Sequence, residues 1–166
     1  MHKAIVTIEN KADEKFLRKK TELFDFKKFT KKEIAALAVR MRRDMRAAQG
    51  IGLSANQIGL TFKVFVAEVP DPKGGLKFYM VFNPKIEKVS SEKVPFEEGC
   101  LSVPLTYGTV DRPERITLAG FDKNGKAVKI KAWGLLARVF QHEVDHLNGI
   151  LFIDKAKTIQ KVEVKK

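Results

Sequence analysis

Gln141-His142-Glu143-Val144-Asp145-His146-Leu147 places two imidazoles four residues apart, with a carboxylate directly after the first. On a helix, residues i and i+4 lie one above the other on the same face, so both rings can reach one metal ion. Glu143 is one position round the helix, close to a water that such an ion would hold but poorly placed to be a ligand. This is the H-E-x-x-H pattern of metal-assisted hydrolysis. Short patterns also arise by chance, but the chain has only 3 histidines and two of them stand here.

The surroundings read as a helix from Trp133 to Leu147. Leu135, Leu136, Val139, Phe140 and Leu147 keep helical spacing, and Asn148-Gly149 closes the run. Ile150 to Ile153 then reads as a strand, and Lys155 to Lys166 as a basic, frayed tail. Further upstream, Thr30-Lys31-Lys32-Glu33 is a capping box. It opens a second helix carrying Ile34, Leu37, Ala38, Met41, Met45 and Ala48 on one stripe, with Gly50 as its stop. Arg40, Arg42, Arg43 and Arg46 fall mostly off that stripe and predict a solvated polar face. Strands are expected at Phe62 to Val69, Leu76 to Phe82, Ile86 to Val89 and Lys93 to Glu97, with Asn83-Pro84 as a break. Arg115 to Phe121 and Ala127 to Ala132 alternate around Asp122-Lys123-Asn124-Gly125-Lys126, a hairpin signal. Residues 1 to 29 predict an irregular arm whose phenylalanines dock on the core.

The predicted fold is α+β: mainly antiparallel strands packed around a central metal-binding helix, with one further N-terminal helix. A chain of 166 residues with 44% hydrophobic residues fits a single catalytic domain spanning residues 1–166. No apolar run is long enough to span a membrane, and the start of the chain lacks the features of a signal peptide, so a cytoplasmic protein without membrane association is expected. One cysteine excludes an internal disulfide. The net charge of +12 can attract a polyanion, but the basic residues are spread along the chain. That spread does not support sequence-specific nucleic acid binding.

A catalytic site of this kind needs a third protein ligand and an open position. The common continuation His-x-x-Gly-x-x-His fails here, because Phe152 stands at the ligand position. His2 lies in the arm. Asp154 and other carboxylates stay open, but Cys100, in Glu97-Glu98-Gly99-Cys100-Leu101-Ser102-Val103-Pro104, is the better candidate. A thiolate is a strong ligand that the metal itself deprotonates.

Three blocks together resemble the peptide deformylase family. Gly50-Ile51-Gly52-Leu53-Ser54-Ala55-Asn56-Gln57 is similar to its Gly-x-Gly-Leu-Ala-Ala-x-Gln block. Glu98-Gly99-Cys100-Leu101-Ser102 and Gln141-His142-Glu143-Val144-Asp145-His146 match the other two, in order. The resemblance covers nearly the whole chain. It implies a hydrolase that removes the formyl group from N-terminal formyl-methionine of new polypeptides and releases formate. It implies Cys100, His142 and His146 as ligands of one divalent metal ion, typically Fe(II), with Ni, Co or Zn as functional substitutes. Glu143 would be the general acid and base, and the Gln57 amide with the Leu101 backbone N–H would stabilise the oxyanion.

Gly50 and Gly52 would let an extended peptide lie against the loop, and Ile51, Leu135 and Val139 are pocket candidates for the methionine side chain. Glu98 is expected to bond the substrate backbone or to orient the loop; Gln141 and Asp145 are expected to orient ligands or tie down the helix. Arg112 is a candidate partner for Asp145. The partners expected are formyl-methionyl nascent peptides and, through the basic surface, the ribosome. The chain departs from the family pattern at Ser54 (usually Ala), at Tyr107, and at Arg138, where an apolar pocket residue is expected. Arg138 would either bind a substrate carbonyl or snorkel outward.

Overall fold

The computed structural model describes residues 5–163, so His2 and Val164 to Lys166 lie outside the described residues. Among the described residues, three α-helices, α1 (Lys11–Leu17), α2 (Lys31–Ala47) and α3 (Gly134–Leu147), accompany eight strands. The strands are β1 (Gly52–Ser54), β2 (Val64–Pro70), β3 (Leu76–Val89), β4 (Lys93–Cys100), β5 (Val103–Pro113), β6 (Arg115–Phe121), β7 (Ala127–Trp133) and β8 (Thr158–Lys161). They form two antiparallel sheets, one ordered β1-β2-β3-β6-β7 and one ordered β4-β5-β8.

The larger sheet is covered on both faces. Phe65, Ala67 and Val69 of β2 pack with Val81, Ile116 and Leu118 against Ala137, Phe140, Val144 and Leu147 of α3. Val64 and Val66 alternate to the opposite face and meet Ile34, Met41 and Met45 of α2. Burial on both faces is why β2 reads as an unbroken apolar run. A smaller core of Val103, Val110, Leu151 and Phe152 lies under the second sheet.

The capping box at Thr30 is present, with Thr30 Oγ1 accepting from the Glu33 N–H and Glu33 accepting from the Thr30 N–H at 2.7 Å. Helix α2 ends at Ala47 rather than running to Gly50; Gln49 turns the chain at φ 58°. The arginines of α2 are paired rather than simply solvated. Arg42 and Arg46 both donate to buried Glu68, and Arg40 and Arg43 flank Asp44.

Several expectations need correction. The N-terminal arm contains α1, capped by Asn10 and anchored by buried Leu17. The docked aromatics hold: Phe24 stacks on Phe29 and contacts Phe26, Phe62 and Phe82. Asn83-Pro84 does not end the strand. A bulge between Phe82 and Lys85 absorbs it, Asn83 adopts φ 50°, and its amide bonds both the N–H and the carbonyl of Phe24. Ile150 to Ile153 is not a strand, because a 3-10 turn at Phe152–Asp154 drops Leu151 and Phe152 into the small core. The tail contributes a strand: β8 pairs with β5 from Thr106↔Lys161 to Thr109↔Thr158.

Candidate metal centre and active site

Helix α3 starts where β7 ends, with extended Trp133 at its N-cap. It presents Phe140, Val144 and Leu147 to the sheet and His142 and Glu143 to the cleft beside it, with His146 buried behind them. Its far end is tied down by Asn56, whose amide donates to the His146 carbonyl at 2.7 Å. Gln141 donates to the Pro113 carbonyl at 2.9 Å and so fixes the helix against β5.

Cys100 arrives from the end of β4, where a register shift after Gly99 turns its side chain towards the helix. Its Sγ lies 3.0 Å from Nε2 of His146, and the two histidine Nε2 atoms are 3.2 Å apart. All three donor atoms fall within 4.8 Å of one another. Ligands around a tetrahedral ion at ordinary bond lengths are about 3.3–3.6 Å apart, so this donor set fits one ion with little adjustment. The sulfur and nitrogen donors suit Fe, Ni, Co or Zn rather than Mg or Ca.

A chain of charges orients the first histidine. Glu98 Oε2 lies 3.0 Å from His142 Nδ1, which leaves Nε2 directed at the cluster. Both Glu98 oxygens are further engaged by Arg112, at 2.5 and 3.0 Å, and Oε1 also by Arg138 at 2.8 Å. Arg112 continues to Asp145 at 2.8 Å, the pair expected from the sequence, and Asp145 to Lys155. Burial opposes ionisation of Glu98, but the bonds from His142 and Arg112 outweigh it and hold the carboxyl well below the usual range. Burial also opposes the Cys100 thiolate, yet the neighbouring His146 and His142 pull the thiol well below its usual value. Burial depresses His142, but Cys100 and Glu98 push it up to about 10. A cation taking the three donors would displace the shared proton.

Glu143 is buried, and burial raises its carboxyl against the opposing pull of His142 and His146. Its carboxylate is flanked by Gly52 and Ser54 of β1. Gln57 sits in a 3-10 turn after β1, its oxygen accepting from the Ser54 N–H at 2.9 Å. That bond turns its NH2 towards Ser102 Oγ at 3.1 Å and Cys100 Sγ at 3.7 Å.

These groups border a cavity of about 360 Å³. Gly50, Ile51 and Gly52 line it together with Glu98, Cys100, Leu101, Leu135, Val139, His142 and Glu143. Gln57 also lines it, so every residue singled out from the sequence for this site is brought together there, His146 standing behind Cys100 and His142. Tyr107 borders the same space. Arg138 neither points out to solvent nor stands free for a substrate carbonyl. Its guanidinium donates to the carbonyls of Val94 and Val110 as well as to Glu98. The bond from Arg112 to Glu98 is not legible in the sequence; the two stand on neighbouring strands and no local spacing signals the pair.

A half-buried thiol and two imidazoles beside a buried carboxylate define a hydrolase class with a centre able to hold one metal ion. Comparison with known proteins agrees. The family model described as Polypeptide deformylase matches residues 3–162. The peptide deformylase of Desulforudis audaxviator is 43% identical over 129 residues, 78% of this chain and 81% of the relative. A crystal structure of a probable peptide deformylase from Synechococcus phage S-SSM7 superposes with TM-score 0.81 and 44% identity, over 91% of this chain and 97% of that one. The peptide deformylase of Synechococcus elongatus, solved in complex with actinonin, gives TM-score 0.80 and 33% identity over 93% of this chain and 78% of that one. The chain belongs to the polypeptide deformylase family, metalloenzymes that hydrolyse the formyl group from nascent peptides.

Proposed function

We propose that Cys100, His142 and His146 hold the single divalent ion of this deformylase, and that Glu143, Gln57 and Leu101 carry the chemistry around it. The convergence of the three donor atoms on one point beside Glu143 carries this reading. When bound, the ion would polarise the formyl carbonyl and supply an acidic water as nucleophile. Glu143 takes the proton of the attacking water and returns it to the departing amine nitrogen, so that formate and a free amino terminus are produced. A carboxyl raised by burial suits that shuttle. The Gln57 NH2 and the Leu101 backbone N–H donate to the developing oxyanion.

β1 and β4 each pair with a single partner strand, and the cavity lies between their outer edges. An extended peptide seats there along its backbone, with Gly50 and Gly52 allowing close approach. The methionine side chain enters the part of the cavity bounded by Ile51, Leu135 and Val139, and Glu98 acts through His142 while bordering the same space. An actinonin-like inhibitor, as bound by the S. elongatus relative, would compete for this cleft.

Fe(II) is the proposed ion, with Ni, Co or Zn as substitutes, in a single domain that works in the cytoplasm. No helix among the described residues is long and apolar enough to cross a membrane. The net charge of +12 supports a salt-dependent association with the ribosome. Metal analysis of anaerobically purified protein, paired with formate release from formyl-Met-Ala, tests the ion and the reaction together. Cys100→Ala should lose the metal, and Glu143→Gln should keep it while turnover falls to a small residual rate. Full metal occupancy in the first, or near-normal turnover in the second, would overturn the assignment. Cosedimentation with ribosomes that ignores salt would remove the electrostatic association.

A further inference from the structure

We infer that Ser54 is a positioning residue for Glu143, its hydroxyl setting the rotation of the carboxylate that serves as general base; this rests on the role proposed for Glu143 above. Ser54 ends β1 and is fully buried. Its Oγ lies 2.6 Å from Glu143 Oε2. Among the described residues, this hydroxyl is the hydrogen-bond donor to that carboxylate. A charge-assisted O–H···O⁻ bond of this length is among the stronger bonds a hydroxyl makes.

The other side of the carboxylate is defined by what is missing from Gly52. A Cβ built there would collide with Glu143 Oε1 and stand 2.9 Å from Cδ. The carboxylate therefore occupies a slot between a bare Cα and a hydroxyl. Oε2 is committed to Ser54 and Oε1 stays on the Gly52 side. A glutamate has three side-chain torsions, and a base effective in proton transfer must hold its oxygen within hydrogen-bond reach of the reacting water. Packing against Gly52 alone would permit rotation about the last torsion; the Ser54 bond removes that freedom.

The hydroxyl has one hydrogen and a second acceptor nearby, the Glu143 carbonyl at 3.0 Å. A purely structural role would direct the hydrogen there, anchoring α3 to β1 without touching the reaction. The two roles predict different kinetics. The Ser54 N–H, which holds the Gln57 side chain at 2.9 Å, is a backbone group and survives any substitution. A side-chain change at Ser54 thus addresses Glu143 without releasing Gln57.

Ser54→Ala is expected to lower kcat for formyl-Met-Ala about ten- to hundredfold, the loss of one hydrogen bond to a charged group, with KM and metal content unchanged. Ser54→Cys, nearly the same size but a weaker donor, should fall between the two and controls for packing. In a Glu143→Gln background, where no carboxylate remains, Ser54→Ala should produce no further loss of residual turnover. A kcat within twofold of the parent enzyme in folded, metal-loaded Ser54→Ala would overturn the inference. So would an equal loss in the Glu143→Gln background, which would assign the hydroxyl to the helix anchor. If Glu143→Gln alone keeps normal turnover, the general-base reading fails instead, so the two failures are told apart.

Discussion

Glu98 Oε2 and His142 Nδ1 lie 3.0 Å apart, and this pairing decides which nitrogen of His142 faces the cluster. Glu98→Gln should weaken metal affinity about 10- to 100-fold, the usual consequence of losing the carboxylate behind a ligating imidazole. Chelator competition followed by metal analysis measures it. Unchanged affinity would mean that the bonds from Arg112 and Arg138 hold Glu98 for another purpose.

Gly52→Ala should abolish most turnover while leaving the metal in place. The new methyl group would overlap Glu143 Oε1 and fall 2.9 Å from Cδ. The carboxylate must then move away from the reaction centre. Metal content and formate release, measured on the same preparation, separate this from a loss of folding. Normal turnover would show that the carboxylate has a second productive position.

Arg138→Leu should lower stability. The guanidinium is largely buried and donates to Glu98, to the Val110 carbonyl at 2.9 Å and to the Val94 carbonyl at 2.5 Å. Leucine removes this donor from the two carbonyls and from Glu98, which keeps Arg112 and His142, at a cost of about 1–3 kcal/mol. Thermal melting should fall by about 2–4 °C for each kcal/mol in a chain of this length. An unchanged melting temperature with a raised KM would return Arg138 to the substrate.

Glu68 provides a pH signature away from the site. Burial opposes its ionisation, but Arg46 and Arg42 outweigh it and lower the carboxyl. A carboxyl lowered by folding stabilises the native state above its unfolded value of about 4.3, and this contribution is lost as pH falls through the folded value. Glu68→Gln should therefore be less stable than the parent at pH 7, and the gap should close on acidification below about 4. Denaturant melts of both proteins across pH check this; a gap that widens in acid would contradict it.

The sequence carried the site further than it carried the sheets. Helix α3 and the Thr30 cap were legible because period and capping are local signals, and the clustering of Cys100, His142 and His146 because their neighbours form short, specific blocks. The β6–β7 hairpin was legible from strict alternation about one turn. Strand β5 was not, because its buried positions hold Val103, Thr106, Gly108, Val110 and Arg112 rather than an apolar series. Strand β8 is exposed along its whole length and has no buried face to signal. Asn83-Pro84 read as a break because a bulge held by bonds to Phe24 is a tertiary fact. Arg138 carried a signal in its mismatch with an apolar pocket, but its three acceptors lie on β4 and β5, 28 to 44 residues away.

The two outer edges of β1 and β4 that border the cleft have a kinetic consequence. In the proposed binding mode, edges that bond through backbone groups would take up an extended chain whether it is formylated or not. Discrimination against the unformylated peptides that surround such an enzyme then cannot reside in how tightly they are held. It would be expressed in turnover, where the roles proposed for Glu143 and Gln57 require a formyl group. Finished chains would thus act as weak competitors, and their inhibition constants should track substrate KM values as residues beyond the first are varied.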